Sequence, residues 1–208
     1  MPEPADWLAI ARAEDPDDVR EHILTGYKSG KPFTPYEPTI RLPACETVLD
    51  FGCGLGRNFP YLNRLAARVS GFDLPPMIAR CRALGADPAV RLHDDWTALR
   101  AHRFDLVFAS LVLQHIDPVA CRTYLADFAR MAPCVYLLTR AESDFDTNVL
   151  AMVGQTGLFD ADECVAVDHD PATHQLRILG SAAFEEAQGL TDGRHFEVLL
   201  RRSNRGSC

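Results

Sequence analysis

The chain is constrained most by one stretch, Val48-Leu49-Asp50-Phe51-Gly52-Cys53-Gly54-Leu55-Gly56-Arg57-Asn58. It opens apolar and β-branched, as a buried parallel strand does. It then meets an acid, Asp50, and glycines at alternate positions, Gly52, Gly54 and Gly56. Glycines permit φ > 0 and remove the Cβ atoms that would hold a ligand off the backbone. From Phe59 onward, Phe59, Leu62, Leu65 and Ala66 recur at helical spacing. Strand, glycine turn and helix N-terminus in that order make a nucleotide cradle, whose amides and helix dipole face an anionic group. A dinucleotide fingerprint, G-x-G-x-x-G, does not fit. Counted from Gly52 its third glycine falls on Arg57, and counted from Gly54 it falls on Phe59.

The pattern that does stand here, Asp50-x-Gly52-x-Gly54-x-Gly56, resembles the first motif of the class I S-adenosylmethionine (SAM) methyltransferases. The resemblance implies a seat for a nucleoside without a pyrophosphate. An acid at the strand end attracts the ammonium and sulfonium, glycine amides face the carboxylate, and Asp50, Phe51, Gly52, Cys53, Gly54 and Gly56 become cofactor-binding candidates.

Further along, residues 68–72 read as a second strand that ends at Asp73. An acid there, some twenty residues past a glycine loop, is placed to accept both ribose hydroxyls. Leu74 follows and could pack on the adenine face. Met77, on the helix opened by Pro75 and Pro76, is either core or a cofactor contact. Residues 89–92 form a third strand leading to Asp95 and Trp96. In the family this segment implies a carboxylate for the adenine amine and a backbone amide for a ring nitrogen. Otherwise Asp95 is a helix N-cap and Trp96 wedges the loop. Residues 104–110 are the clearest buried strand after the first. Ligands sit at the C-terminal ends of strands in open α/β sheets, so Ser110, Leu111 and His115 are assigned to the methyl-transfer end. His115 is a candidate general base, since a neutral imidazole takes up protons near pH 7; the alternative is a ring that caps local backbone.

Asp117-Pro118 starts a helix, with Asp as N-cap and Pro at the first helical position. Residues 134–139 are strand five, 144–157 a helix, and 163–167 with 174–179 two short strands around a turn at Asp168-His169-Asp170-Pro171-Ala172. That hairpin either replaces or augments the family's sixth strand, and 196–200 is assigned to the last, antiparallel one. His169 and His174 beside Asp168 and Asp170 lie in a tight turn and carry no metal assignment.

At the other end, residues 1–30 read as helical and 31–43, with Pro32, Pro35, Pro38 and Pro43, as an extended connector. By position, Tyr27, Lys28, Phe33 and Tyr36 are candidates for a lid, with Tyr27 a second catalytic candidate. The expected architecture is therefore α/β: a Rossmann-like three-layer sandwich with a mostly parallel seven-stranded sheet whose last strand is antiparallel. A helical cap spans 1–43, the SAM-binding domain 44–201, and a disordered tail 202–208.

Charge and cysteines narrow the function. A formal net charge of −8 disfavours a broad nucleic-acid or acidic-membrane surface. No apolar run spans a bilayer, and the acidic Met1-Pro2-Glu3-Pro4 shows no secretory signal. Seven cysteines without a C-x-x-C pair point to reduced thiols in a cytoplasm and no zinc site. The expected function is methyl transfer from SAM to an oxygen, nitrogen or carbon of a small molecule, leaving S-adenosylhomocysteine. The protein would be a monomer or homodimer that binds neither nucleic acid nor membrane. The alternative is a non-catalytic module that binds SAM or S-adenosylhomocysteine.

Overall fold

The structure, a computed structural model, describes residue 12 and residues 37–142, 147–169 and 175–203. In chain order the elements are β1 (Cys45–Phe51), α1 (Phe59–Leu65), β2 (Ala66–Phe72), α2 (Pro75–Ala83), β3 (Arg91–His93), α3 (Trp96–Leu99) and β4 (Leu106–Ser110). A 3₁₀ turn (Leu113–His115), α4 (Pro118–Met131), β5 (Cys134–Glu142), α5 (Val149–Thr156), β6 (Phe159–His169), β7 (Leu176–Ser181), α6 (Phe184–Ala187) and β8 (Asp192–Arg202) follow.

They form one eight-stranded sheet in the order β3-β2-β1-β4-β5-β8-β6-β7. The first five strands are parallel, and β8 is inserted antiparallel between β5 and β6. The fold is thus the expected Rossmann-like sandwich with one strand more than the expected seven. The hairpin augments the sheet rather than replacing its sixth strand. β6 pairs with β8 through residues 159–167, while its far end pairs with β7. β7 is then an edge strand with Ile178 and Leu179 exposed, too short and too little buried for its place in the sheet to be read from periodicity.

Central position explains β1. Val48 and Leu49 are successive residues with no exposed surface, so both faces of the strand are covered. Full burial of each such side chain is worth about 1.5–3 kcal/mol. On one face Leu49, Phe51, Val107, Val135 and Leu137 pack with α4 and α5. On the other, Val48, Phe108, Tyr136 and Leu138 pack with α1, α2 and two connector residues, Ile40 and Leu42.

Helix ends follow local chemistry. Asp117 caps α4 by accepting from the amides of Val119 and Ala120, with Pro118 in the first turn. Asn148 caps α5 by accepting from the Ala151 amide, so this helix begins later than residue 144. No helix among the described residues is long and apolar enough to cross a membrane.

Candidate cofactor and methyl-transfer site

The glycine loop leaves β1 at the carboxyl edge of the sheet and is tied over the end of β2. The amides of Gly52 and Cys53 both donate to the Phe72 carbonyl, at 2.8 and 3.0 Å. Gly52, Gly54 and Gly56 have φ of 72°, 55° and 85°, the left-handed region that disfavours any residue with a Cβ. Space imposes the same choice. A Cβ on Gly52 would lie 2.4 Å from Cγ2 of Val112, and one on Gly56 2.4 Å from the Phe59 ring. The contact with Val112 brings the segment after β4 directly against the loop, a neighbour that the sequence reading did not name.

Two carboxyls flank this loop. Asp73, at the end of β2, is half-buried and accepts from the Gly54 amide at 2.8 Å and from the Leu74 amide at 2.7 Å. Burial pushes its carboxyl up to about 6, against the pull of those two amides. Asp50 lies at the end of β1 and is 1% exposed. Its Oδ2 accepts no hydrogen bond from the described residues. Burial, with the charge of Asp73 second, pushes it up to about 8. A buried carboxyl with an unpartnered oxygen is costly unless something supplies the missing charge or donor.

The remaining candidates are distributed around this centre. Phe51 is core: it stacks on Phe72 at 5.5 Å and meets Tyr124 and Phe128 edge-on. Cys53 is buried with its thiol held well above the ordinary range by burial. Leu74 is 38% exposed, whereas Met77 is buried on the inner face of α2 with Ile78 and Cys81. Asp95 is the N-cap of α3, accepting from the Ala98 amide. Trp96 sits in the aromatic cluster, 5.3 Å from Phe51 and 5.0 Å from Phe72, with its indole N–H donating to buried Asp127 at 2.8 Å. Leu111 has φ 55°, the one positive value outside glycine among the described residues. Its amide donates to the Leu138 carbonyl. Strain of this kind costs about 1–3 kcal/mol and collects at functional sites. The Ser110 Oγ beside it is buried without a hydrogen-bond partner among the described residues.

His115 ends the 3₁₀ turn and is half-buried, which holds its imidazolium down to about 4. Two contacts fix that turn: the Thr139 hydroxyl donates to Gln114 Oε1 at 3.2 Å and the Thr147 hydroxyl to the Ile116 carbonyl at 2.7 Å. Both pairs join residues distant in sequence, and neither carries a local signature. Tyr27, Lys28, Phe33 and Tyr36 lie outside the described residues, as do His174 and Asp170. Among the described residues no group of three His, Cys, Asp or Glu is placed to hold a metal ion.

Residues 49–132 match a family model described as a methyltransferase domain. Over those residues the chain is similar to a methyltransferase domain. One curated relative is the ubiquinone biosynthesis O-methyltransferase of Xanthomonas axonopodis pv. citri (strain 306), 34% identical over 122 residues, which are 54% of this chain and 50% of that protein. The chain therefore spans about half the length of the curated relative it matches. Among solved structures, the N-methyltransferase NodS of Bradyrhizobium japonicum WM9, in complex with S-adenosyl-L-homocysteine, superposes with a TM-score of 0.54 at 16% identity, over 77% of this chain and 80% of that one. The mitomycin 7-O-methyltransferase MmcR superposes with a TM-score of 0.58 at 14% identity, over 95% of this chain and 60% of that one. At such identities the likeness is one of fold. The chain thus places its glycine loop, both carboxyls and the Ser110–Leu111 strand end on the carboxyl edge of one sheet.

Proposed function

We propose that this chain is a SAM-dependent methyltransferase that moves a methyl group from the sulfonium to an oxygen, nitrogen or carbon acceptor on a small molecule, by in-line displacement. The observation that carries the reading is the pairing of three positive-φ glycines with two carboxyls, one of them buried with an unpartnered oxygen. A pyrophosphate would meet like charge there, whereas an ammonium and a sulfonium meet complementary charge. When bound, the cofactor supplies a methyl group already activated by its sulfonium.

The residues of the chain then hold and orient. Asp50 balances the cationic end. The amides of Gly52, Cys53, Gly54 and Gly56 are spent within the protein, on the Phe72 carbonyl, Asp73 and the Cys53 carbonyl. The loop therefore serves the ligand through its missing Cβ atoms rather than through those amides. Each Asp73 oxygen spends one lone pair on an amide and keeps another for a ribose hydroxyl. Leu74 offers an apolar surface to the adenine, and Asp95 with the Trp96 amide addresses its edge. Ser110, Leu111 and His115 position the acceptor and exclude water, which supplies much of the acceleration for a leaving group this good.

Asp73→Ala is expected to weaken SAM affinity by about 1–3 kcal/mol, from lost charge-assisted bonds to the ribose. Calorimetry checks this, and an unchanged dissociation constant would contradict the placement of the nucleoside. Methyl release on cell extract separates an enzyme from a binding module. The His115 role has its own test. Because its imidazolium is held down to about 4, the limb of kcat/KM that belongs to His115 is expected near pH 4. A limb near 6.5 that disappears in His115→Asn would show that the ring is not in the environment described.

A further inference from the structure

The two carboxyls at the loop sit in an arrangement that costs the ligand-free chain something and gives a cation something to gain. Asp50 is 1% exposed with Oδ2 unpartnered. The titratable groups coupled to it among the described residues are all acids. β2 brings Asp73, the loop brings the Cys53 thiol, α2 brings the Cys81 thiol, and β4 places Phe108 in register with Asp50. Burial holds both thiols in their neutral form, with Cys81 at about 11. Asp73 is the one charged group among the described residues that acts on Asp50, and it is of like sign. Asp73 also has two amide donors, while Asp50 has none for Oδ2. Of the two, Asp50 is therefore the carboxyl that keeps its proton.

We propose that cofactor binding is proton-linked: Asp50 is a neutral acid in the ligand-free chain, and it gives its proton to solvent when a cationic nucleoside enters the site. This rests on the SAM-binding reading above. The geometry supplies both halves of the cycle. Without the ligand, no cation or donor to Oδ2 among the described residues offsets a buried carboxylate. With it, the α-ammonium brings both. A carboxyl at about 8 is about nine-tenths protonated at pH 7. SAM binding at pH 7 should therefore release about 0.7–0.9 proton, a small opposite uptake by the ligand's own amine included. Affinity should rise close to tenfold between pH 6 and pH 7.

Calorimetry of SAM binding to the native chain at pH 7, in phosphate and in Tris, reads the released proton from the difference in apparent enthalpy. The expected result is a buffer-dependent enthalpy matching more than half a proton, together with the steep rise in affinity. Equal enthalpies in the two buffers with measurable binding would overturn the proposal while leaving SAM binding intact. Absence of any binding would instead sink the functional reading beneath it. Asp50→Asn identifies the group: a variant that still binds and still releases the same proton would overturn the assignment to Asp50.

Discussion

Asp50→Asn is expected to make the ligand-free chain more stable than the native one at pH 8, by about 2–4 kcal/mol, while weakening its hold on the cofactor. The sign follows from the raised carboxyl. In the unfolded chain an Asp titrates at about 3.9; in the folded chain Asp50 titrates at about 8. Below the first value both states are protonated and no penalty exists. Between the two values the unfolded chain has lost its proton and the folded chain has kept it, so native stability falls as pH rises, at most by about 1.4 kcal/mol per unit. Above about 8 the penalty is complete. An amide carries no such pH-dependent penalty, so the advantage of the variant should open from about pH 4 to pH 8. Denaturant titrations at several pH values check this, and an advantage that is constant with pH would contradict the burial argument. A stabilising change that costs function is the expected signature of strain kept at a binding site.

Glu197→Ala should lower the unfolding free energy by about 2–4 kcal/mol. Glu197 has no exposed surface and lies on β8, in register with Leu138. Its carboxylate gathers the Thr39 amide, at 2.9 and 3.1 Å to the two oxygens, the Thr39 hydroxyl, and the hydroxyl of Tyr136 at 2.7 Å. Burial raises its carboxyl while those donors hold it down. Alanine would strand the Tyr136 hydroxyl in the core, where the ring stacks on Phe108 at 4.5 Å, and would release the connector that Ile40 and Leu42 anchor to the same face. Glu197→Leu combined with Tyr136→Phe removes acceptor and donor together and should lose much less than the sum of the two single changes. Additive losses in that cycle would show that the hydrogen bond is not the source.

Much of the site's backbone was legible from sequence because it rests on local rules. Alternating glycines, an N-capping Asp117 before Pro118 and an apolar run at 104–110 each report a conformation within a few residues, and the loop, α4 and β4 formed accordingly. Less local features were read less well. The reach of β6 and β8 was underestimated, because strand length depends on which neighbour supplies hydrogen bonds. The hairpin was seen, but whether it replaces or augments the sixth strand could not be chosen from sequence. Trp96 illustrates the limit for side chains. Its place beside the adenine or within the loop could not be chosen from position, and it is the aromatic cluster with Asp127, thirty-one residues away, that holds the indole.

By itself the sequence determined the strand, turn and helix of the cradle and the chemical types around it, since those follow from φ preferences and periodicity. The tertiary structure decided which of two acids keeps a proton, which side chain fills the space a Cβ at Gly52 would take, and how Thr39 reaches Glu197 across 158 residues. Burial and long-range packing set those outcomes, and neither is a property of any short run of residues.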